Sequence, residues 1–197
     1  DATLTILRRD QNKPARVWYL HSLKMQGAGI DTPMPFQALL TNAVPPGQIN
    51  VSGTFGPWQR EDPGLTPMSG DFTFANADLS VFKGISGILA ADGTLSGVLN
   101  QIIVDGRTAT PDVMVNISGH PVPLQTTYHA VVDGTNGNTT LDPVRATFLQ
   151  TTIEARGGVY ETPANKGREI RLDVSMEDGR LENLLRLAVN TPAPPMT

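Results

Sequence analysis

The sequence predicts an all-β fold, a strongly curved antiparallel sheet that forms a groove or an open sandwich. It also predicts a single-turn helix in mid-chain and one short C-terminal helix. Two observations lead to this class. Segments that alternate apolar and polar residues recur along the chain, which is the period of a strand with one buried face. The chain also contains 19 Gly and 16 Pro, a content typical of short strands joined by turns. We interpret residues 1–197 as a single β-rich unit.

The central stretch, residues 111–142, carries the clearest alternation. Val113, Val115 and Ile117 alternate with polar residues, and residues 119–121 interrupt the pattern. The alternation resumes with Leu124, Tyr128 and Val132 on one face. Residues 133–138 (DGTNGN) suit positive φ angles and predict a hairpin loop.

The remaining elements follow from the same pattern. Strands are predicted over residues 3–9, 16–25, 34–42, 48–55, 72–74, 85–89, 94–104, 143–157 and 169–176. Residues 16–25 also fit a short helix, but their β-branched and aromatic residues favour a strand. The Asp-Gly pairs at 92–93 and 105–106 predict turns. Asp78 and Gly84 are placed to begin and end a helical turn. Residues 178–189 predict a helix, with Leu181, Leu184, Leu185 and Ala188 on one face.

Two regularities concern the shape of the sheet. Ser-Gly recurs at residues 52–53, 69–70, 86–87, 96–97 and 118–119, and glycine within a strand marks a bend or a close backbone approach. We therefore expect strong curvature. A unit of strand, acidic turn and short helix occurs at residues 72–84 and again at 170–189. This similarity indicates either a repeating sheet or a coincidence within an all-β domain. The chain begins in strand sequence and ends in a Pro-rich run, so we expect it to be a piece of a longer protein.

Composition argues against several classes of function. The net charge is -4, and Lys83 and Arg107 are the only basic residues between Glu61 and Val144, so nucleic acid is not an expected partner. Zero Cys excludes disulfides and thiolate metal sites. No Gly-x-Ser-x-Gly motif accompanies the three histidines, although a hydrolase with an unfamiliar site remains an alternative. A metal held by His120, His129 and Asp133, or calcium at residues 133–142, is disfavoured against plain turns. We expect no enzyme activity and no cofactor.

Five segments carry a resemblance to a known family. Residues 53–58 (GTFGPW), 77–85 (ADLSVFKGI), 110–112 (TPD), 118–124 (SGHPVPL) and 133–137 (DGTNG) resemble the C-terminal region of bacterial AsmA-like proteins, of the AsmA/TamB superfamily. The resemblance extends from about residue 35 to residue 197. It implies the periplasmic part of a protein held in the inner membrane by an N-terminal helix. It also implies a curved sheet whose apolar groove handles phospholipid or another acyl lipid, for lipid transport or outer-membrane maintenance.

The residues of such a groove would come from the apolar faces of the strands. The candidates are Phe72, Phe74, Val113, Val115, Ile117, Leu124, Tyr128, Val132, Leu172 and Val174. The same alternation fits the closed core of a β-sandwich, which would be an interaction module that binds protein or glycan through its loops. The pattern alone does not separate the two. Open edge strands also predict self-association of the piece.

Overall fold

A computed structural model describes residues 2–6, 16–27, 29, 31–117, 119–162, 167–177, 179–180 and 182–183. The protein is a single, open, antiparallel sheet of twelve strands. The strands are β1 (Ala2–Ile6), β2 (Arg16–Met25), β3 (Met34–Ala43), β4 (Pro46–Phe55), β5 (Pro67–Asp78), β6 (Ile85–Ser86), β7 (Ile88–Val98), β8 (Gln101–Val115), β9 (Val122–Val132), β10 (Thr139–Phe148), β11 (Thr151–Thr162) and β12 (Gly167–Glu177). The all-β antiparallel class predicted from the sequence is therefore confirmed, and residues 16–25 form a strand.

Chain order and spatial order coincide almost throughout the sheet. Each strand from β1 to β12 pairs with its predecessor, except that β7 pairs with β5 and the two-residue β6 pairs with the far end of β8. Tight connections suit such a meander, and two-residue turns lie at residues 44–45, 99–100 and 149–150. The predicted loop at residues 133–138 is one of them, since the Asp133 amide donates to the Asn138 carbonyl at 2.8 Å.

The two predicted Asp-Gly turns are wrong. Asp92 and Gly93 lie in the middle of β7, Asp105 and Gly106 lie in the middle of β8, and Gly93 is paired directly with Gly106. The turn between these strands is instead at residues 99–100. Asp-Gly is a turn signal because glycine accepts unusual φ angles, but here glycine serves a packing need: the Tyr128 ring lies where a Gly106 side chain would project.

Three predicted strand boundaries also change. Residues 94–104 belong to two strands, and residues 111–115 continue β8 instead of starting a new strand. β8 ends at Val115, so Ile117 lies in a turn rather than in a strand. The predicted strand at 143–157 is a hairpin, with its turn at residues 149–150 and Leu149 at φ 52°. Alternation continued across that short turn, which concealed the reversal of the chain.

The sheet has two ends with different character. At one end, here called the loop end, backbone hydrogen bonds join the connections of successive hairpins. The Leu99 amide donates to the Thr66 carbonyl at 3.0 Å, and the Gly134 amide donates to the Leu99 carbonyl at 2.8 Å. The β4–β5 connection there contains a 3-10 turn at Pro63–Leu65, which the Asp62 side chain caps. These bonds fix three neighbouring hairpins relative to one another.

The opposite end, here called the core end, holds most of the buried apolar side chains. Ala77, Val113, Val122 and Phe148 are buried there, with Thr110 and Thr151 beside them. Part of this end is covered by the connection from β5 to β7, because Gly87 lies directly against Thr110 and Val113. The single-turn helix expected after Asp78 is a 3-10 turn at Leu79–Val81 in this connection, and the Asp78 carboxylate accepts from the Ser80 amide at 2.8 Å.

The predicted helix at residues 178–189 lies mostly outside the described residues. Of this segment the structure describes residues 179–180 and 182–183, and residues 182–183 are helical. Within the described part of the chain, no helix has the length and hydropathy that crossing a bilayer requires.

Candidate functional site: the apolar face of the sheet

Strand register places apolar side chains in continuous rows across one face of the sheet. One such row is Leu23, Ala38, Val51, Phe72, Gly93, Gly106, Tyr128, Val144, Ala155 and Val174. It contains no charged residue and crosses from β2 to β12. With strands about 4.8 Å apart, it is roughly 40 Å long. We call the side of the sheet that carries this row the apolar face.

Neighbouring rows repeat the same character. The next row on the same face, two residues along most strands, consists of Leu20, Leu40, Ile49, Phe74, Ala91, Thr108, Thr126, Ala146, Ile153 and Met176. On the other side lies Met25, Phe36, Gly53, Gly70, Leu95, Val104, Ala130, Leu141, Gly157 and Leu172. Like the first row, these two rows contain no charged residue. The apolar face is therefore a two-dimensional surface and not a single stripe.

Register shifts keep the rows in phase. Leu141 and Val144 are three positions apart, so regular alternation would put them on opposite faces. The register shift between them puts both side chains on the apolar face. A similar shift between Thr110 and Val113 does the same on β8. Because a one-residue slip would turn every following side chain to the other face, each bulge restores the alternation that the face requires.

Glycine and aromatic residues fit together at the centre of the apolar face. A Cβ added to Gly106 would lie 2.5 Å from Tyr128 Oη and 2.6 Å from its Cζ. A Cβ on Gly93 would lie 3.0 Å from Cε1 of Phe72 and closer still to the backbone of β8. The Phe72 ring thus lies next to Gly93 of β7 and the Tyr128 ring lies next to Gly106 of β8, where a larger residue would leave them no space. Burial raises the pKa of the Tyr128 hydroxyl, and the charge of Asp92 raises it further.

Most of the apolar face is only partly covered. Phe72, Phe74 and Tyr128 are half-buried. Toward the β12 edge exposure increases, and Leu172 is 47% exposed and Val174 63% exposed. A single sheet has no opposite layer to bury its apolar side chains, and the described strands contain no second sheet that would close a sandwich. Away from the core end, the described residues therefore leave the face open.

The structure brings most of the predicted lining residues together. Phe72, Phe74, Leu124, Tyr128, Val132, Leu172 and Val174 all project from the apolar face. Val113 is on the same side but is buried at the core end, and Val115 pairs with Ile85 of β6 there. Ile117 does not join them, since it lies beyond the end of β8 and is 75% exposed.

Sequence reasoning missed many other residues of the face. They include Leu23, Met25, Leu40, Ile49, Val51, Leu95, Val104, Val144, Ile153 and Met176. Their alternation was visible, but their alignment with Phe72 and Tyr128 depends on register, which sequence spacing does not give once turns are misplaced. Recognition of Asp92-Gly93 as strand interior would have put β7 and β8 in the correct register.

The opposite face is polar and carries short ion pairs between neighbouring strands. Arg107 Nε lies 3.0 Å from Asp92 Oδ1, and Arg145 Nε lies 3.0 Å from Glu154 Oε2. A shallow depression of about 670 Å³ crosses this face, and its lining includes both arginines. All four charged side chains are exposed in part or in full, so the pairs contribute little stability. Their chemistry is that of a solvated surface.

The residues weighed for a metal site do not converge. His129 Nδ1 is 2.7 Å from Asp105 Oδ1 on the polar face. The Asp133 carboxylate instead accepts hydrogen bonds from the Thr135 amide and from Asn136 within its own loop. Hydrogen bonds from Thr135 and Asn136 hold the pKa of Asp133 below its usual value. Among the described residues, no cluster of three or more histidine or carboxylate side chains is placed to hold a metal ion.

Comparisons with known proteins identify no relative for this chain. No protein-family model matches it, and neither the curated proteins nor the solved structures give a significant match. The apolar face therefore has to be interpreted from its own geometry.

Proposed function

We propose that the apolar face binds acyl chains, and that this chain is a non-enzymatic, lipid-handling section of a bacterial envelope protein. The proposed lipid is a phospholipid, and the proposed place is the periplasmic part of a protein anchored in the inner membrane. The role would be phospholipid transport or outer-membrane maintenance. The observation that carries the proposal is an uncharged surface, about 40 Å long, that the described strands leave open.

The physical case rests on what an open apolar face costs in water. Soluble proteins rarely expose a continuous apolar patch beyond a few hundred Å², and larger patches mark binding sites. Acyl chains suit this surface because it offers rows of aliphatic and aromatic groups without directional hydrogen bonds. Each methylene that leaves water contributes about 0.8 kcal/mol, so a chain lying along a row gains affinity by its length alone.

The resemblance of residues 53–58, 77–85, 110–112, 118–124 and 133–137 to AsmA-like proteins supports the same proposal. It is the only support for location and for membrane attachment. The apolar face, in contrast, supports lipid binding without any reference to a family.

The test compares two variants that add the same charge on opposite faces of β12. Val174→Asp places a carboxylate on the apolar face, and Ser175→Asp places one on the polar face. Val174 is 63% exposed, so its replacement leaves the folded sheet nearly unaffected. Binding is measured with a fluorescent phospholipid and, for stoichiometry, by native mass spectrometry of the full chain with added phospholipid.

We expect Val174→Asp to weaken phospholipid binding by about tenfold, since a buried Val contributes about 1.5 kcal/mol. Ser175→Asp should bind like the unaltered chain. Equal binding by both variants, or a folded chain that takes up no phospholipid, would refute the proposal.

A further inference from the structure

The sheet ends in two edge strands of very different length. Within the described residues the strand order begins at β1 and finishes at β12, so no described strand pairs with the outer side of either. β1 has 5 residues and β12 has 11. Along such an edge the backbone N–H and C=O groups of alternate residues point away from the sheet, and they form a template for another strand. β12 therefore offers the longer surface for pairing.

The described chain that follows β12 leads away from this outer side. Asn183 Nδ2 donates to Thr151 Oγ1 at 2.9 Å, and Thr151 belongs to β11, the inner neighbour of β12. Between β12 and this contact, Gly179 lies against the side chain of Met176, which projects from the apolar face. These described residues therefore pass toward β11 and do not follow the outer side of β12.

The polar side of β12 carries a carboxylate without a cation. Asp173 is paired in register with Arg156 of β11. The Arg156 guanidinium is already engaged, since its Nη1 lies 3.1 Å from Asp142 Oδ1 and its Nη2 lies 2.8 Å from Glu154 Oε1. Within the described part of the chain, Asp173 is therefore exposed and has no ion-pair partner.

A second copy of β12, running antiparallel to the first, supplies the missing cation. Leu172 is the midpoint of Gly167–Glu177, so a two-fold axis at Leu172 pairs all 11 residues of the strand. Arg171 then lies directly opposite Asp173 of the partner subunit, and the axis repeats this pair on its other side. Opposite charges in directly opposed positions of an antiparallel pair stabilise it.

The same charges disfavour the neighbouring registers. If the axis moves by one residue, to Arg171 or to Asp173, that residue faces its own copy, and like charges directly opposite each other destabilise the pair. A register in which odd-numbered residues face even-numbered ones puts the apolar face of one copy beside the polar face of the other. The axis at Leu172 avoids both conflicts.

The apolar side of β12 suits the same register. Leu172 is 47% exposed and Val174 is 63% exposed at this edge. With the axis at Leu172, each Leu172 lies opposite its own copy and Val174 lies opposite residue 170. The apolar rows of one sheet then continue into those of the other.

We propose that the outer side of β12 is a homodimer interface, in which two copies pair antiparallel about Leu172 and Arg171 of each copy bonds Asp173 of the other. The dimer is one continuous sheet with twice the number of strands and an apolar face that extends across the axis. The interface forms without lipid, so it stands or fails separately from lipid binding.

The first test exchanges the two charges in separate full-length chains, Arg171→Asp and Asp173→Arg. Each variant alone puts like charges opposite each other at both positions of the dimer, whereas a one-to-one mixture of the two restores opposite charges at both. Both side chains are exposed, so each variant should keep the fold, which circular dichroism checks. Dimerisation is measured by sedimentation velocity over a range of concentrations, without lipid.

We expect the unaltered chain to dimerise, each variant to dimerise about tenfold more weakly or less, and the mixture to recover the affinity of the unaltered chain. A monomeric unaltered chain would overturn the proposal. So would a variant that dimerises as tightly as the unaltered chain, or a mixture that dimerises no better than its components.

The second test fixes the register with single cysteines, which the absence of native cysteine allows. Leu172→Cys faces itself across the axis, at a Cα separation of about 4.5–5.5 Å that suits a disulfide. Val174→Cys is the matched control: it is on the same face and more exposed, but its own copy lies four residues along the partner strand, about 14 Å away. In oxidised glutathione, Leu172→Cys should form the disulfide-linked dimer about tenfold faster or more. Equal rates for the two variants would refute the axis at Leu172.

Discussion

The fit of Tyr128 over Gly106 gives a sharp test of how the centre of the sheet is held together. Replacement of Gly106 by Ala puts a methyl group 2.5 Å from Tyr128 Oη and 2.6 Å from Cζ. Ordinary contact distances between such atoms are about 3.5 Å or more, so the ring must move by about 1 Å. Overpacking of this kind costs about 1–3 kcal/mol, whereas alanine in a strand is otherwise better than glycine by about 0.5–1 kcal/mol.

A double-mutant cycle isolates the contact between the two residues. In a Tyr128→Ala background the new methyl meets no ring, so Gly106→Ala should stabilise the chain by about 0.5–1 kcal/mol. The coupling free energy between the two substitutions should then be about 1–3 kcal/mol. Urea unfolding followed by circular dichroism gives each of the four free energies, provided that the m-values agree.

Gly93 supplies the matched control. Its nearest neighbours are the Asp105 carbonyl oxygen, at a distance a real Cβ never tolerates, and Gly106 Cα at 2.8 Å. Since these are backbone atoms, removal of the Phe72 ring should not rescue Gly93→Ala. A coupling below about 0.5 kcal/mol between Gly106 and Tyr128, or an equal rescue at both glycines, would refute the proposed packing.

Three further predictions follow from single side chains. In the described structure Thr110 Oγ1 is buried without a hydrogen-bond partner. Thr110→Val should therefore raise the free energy of unfolding by about 1 kcal/mol in urea titrations. A lower free energy of unfolding would show that the hydroxyl forms a hydrogen bond. Because the folded pKa of Asp133 is lowered, its contribution is present above the unfolded pKa and is lost as pH falls through the folded value. Asp133→Asn should therefore flatten the acid limb of Tm against pH, and an unchanged limb would contradict this. Because burial raises the folded pKa of Tyr128, stability falls as pH rises above the unfolded pKa of about 10. Tyr128→Phe should therefore reduce the loss of Tm at alkaline pH. An unchanged dependence of Tm on alkaline pH would count against burial of the hydroxyl.

The sequence by itself determined the class of the fold and part of the surface that we assign to function. Alternation in residues 124–132 correctly placed Leu124, Tyr128 and Val132 on one face, because side chains of a strand alternate whatever its partners are. The hairpin loop at residues 133–138 was also predictable from local sequence, since the Asp133 carboxylate accepts hydrogen bonds from Thr135 and Asn136 within the loop. Local chemistry fixes such features, and they need no knowledge of the rest of the chain.

Tertiary structure decided the register and the openness of the sheet. Gly93 and Gly106 looked like turn residues because the reasons for them lie in other strands. Gly93 lies against the backbone of β8, and Gly106 lies against the ring of Tyr128. The same alternation fits a closed core and an open face, and only the arrangement of all twelve strands in one sheet distinguishes them. The hydrogen bond from Asn183 to Thr151 was likewise invisible, since it joins two residues that are 32 positions apart in the sequence. Alternation specifies which side of a strand is apolar, but what covers that side depends on contacts between segments far apart in the chain.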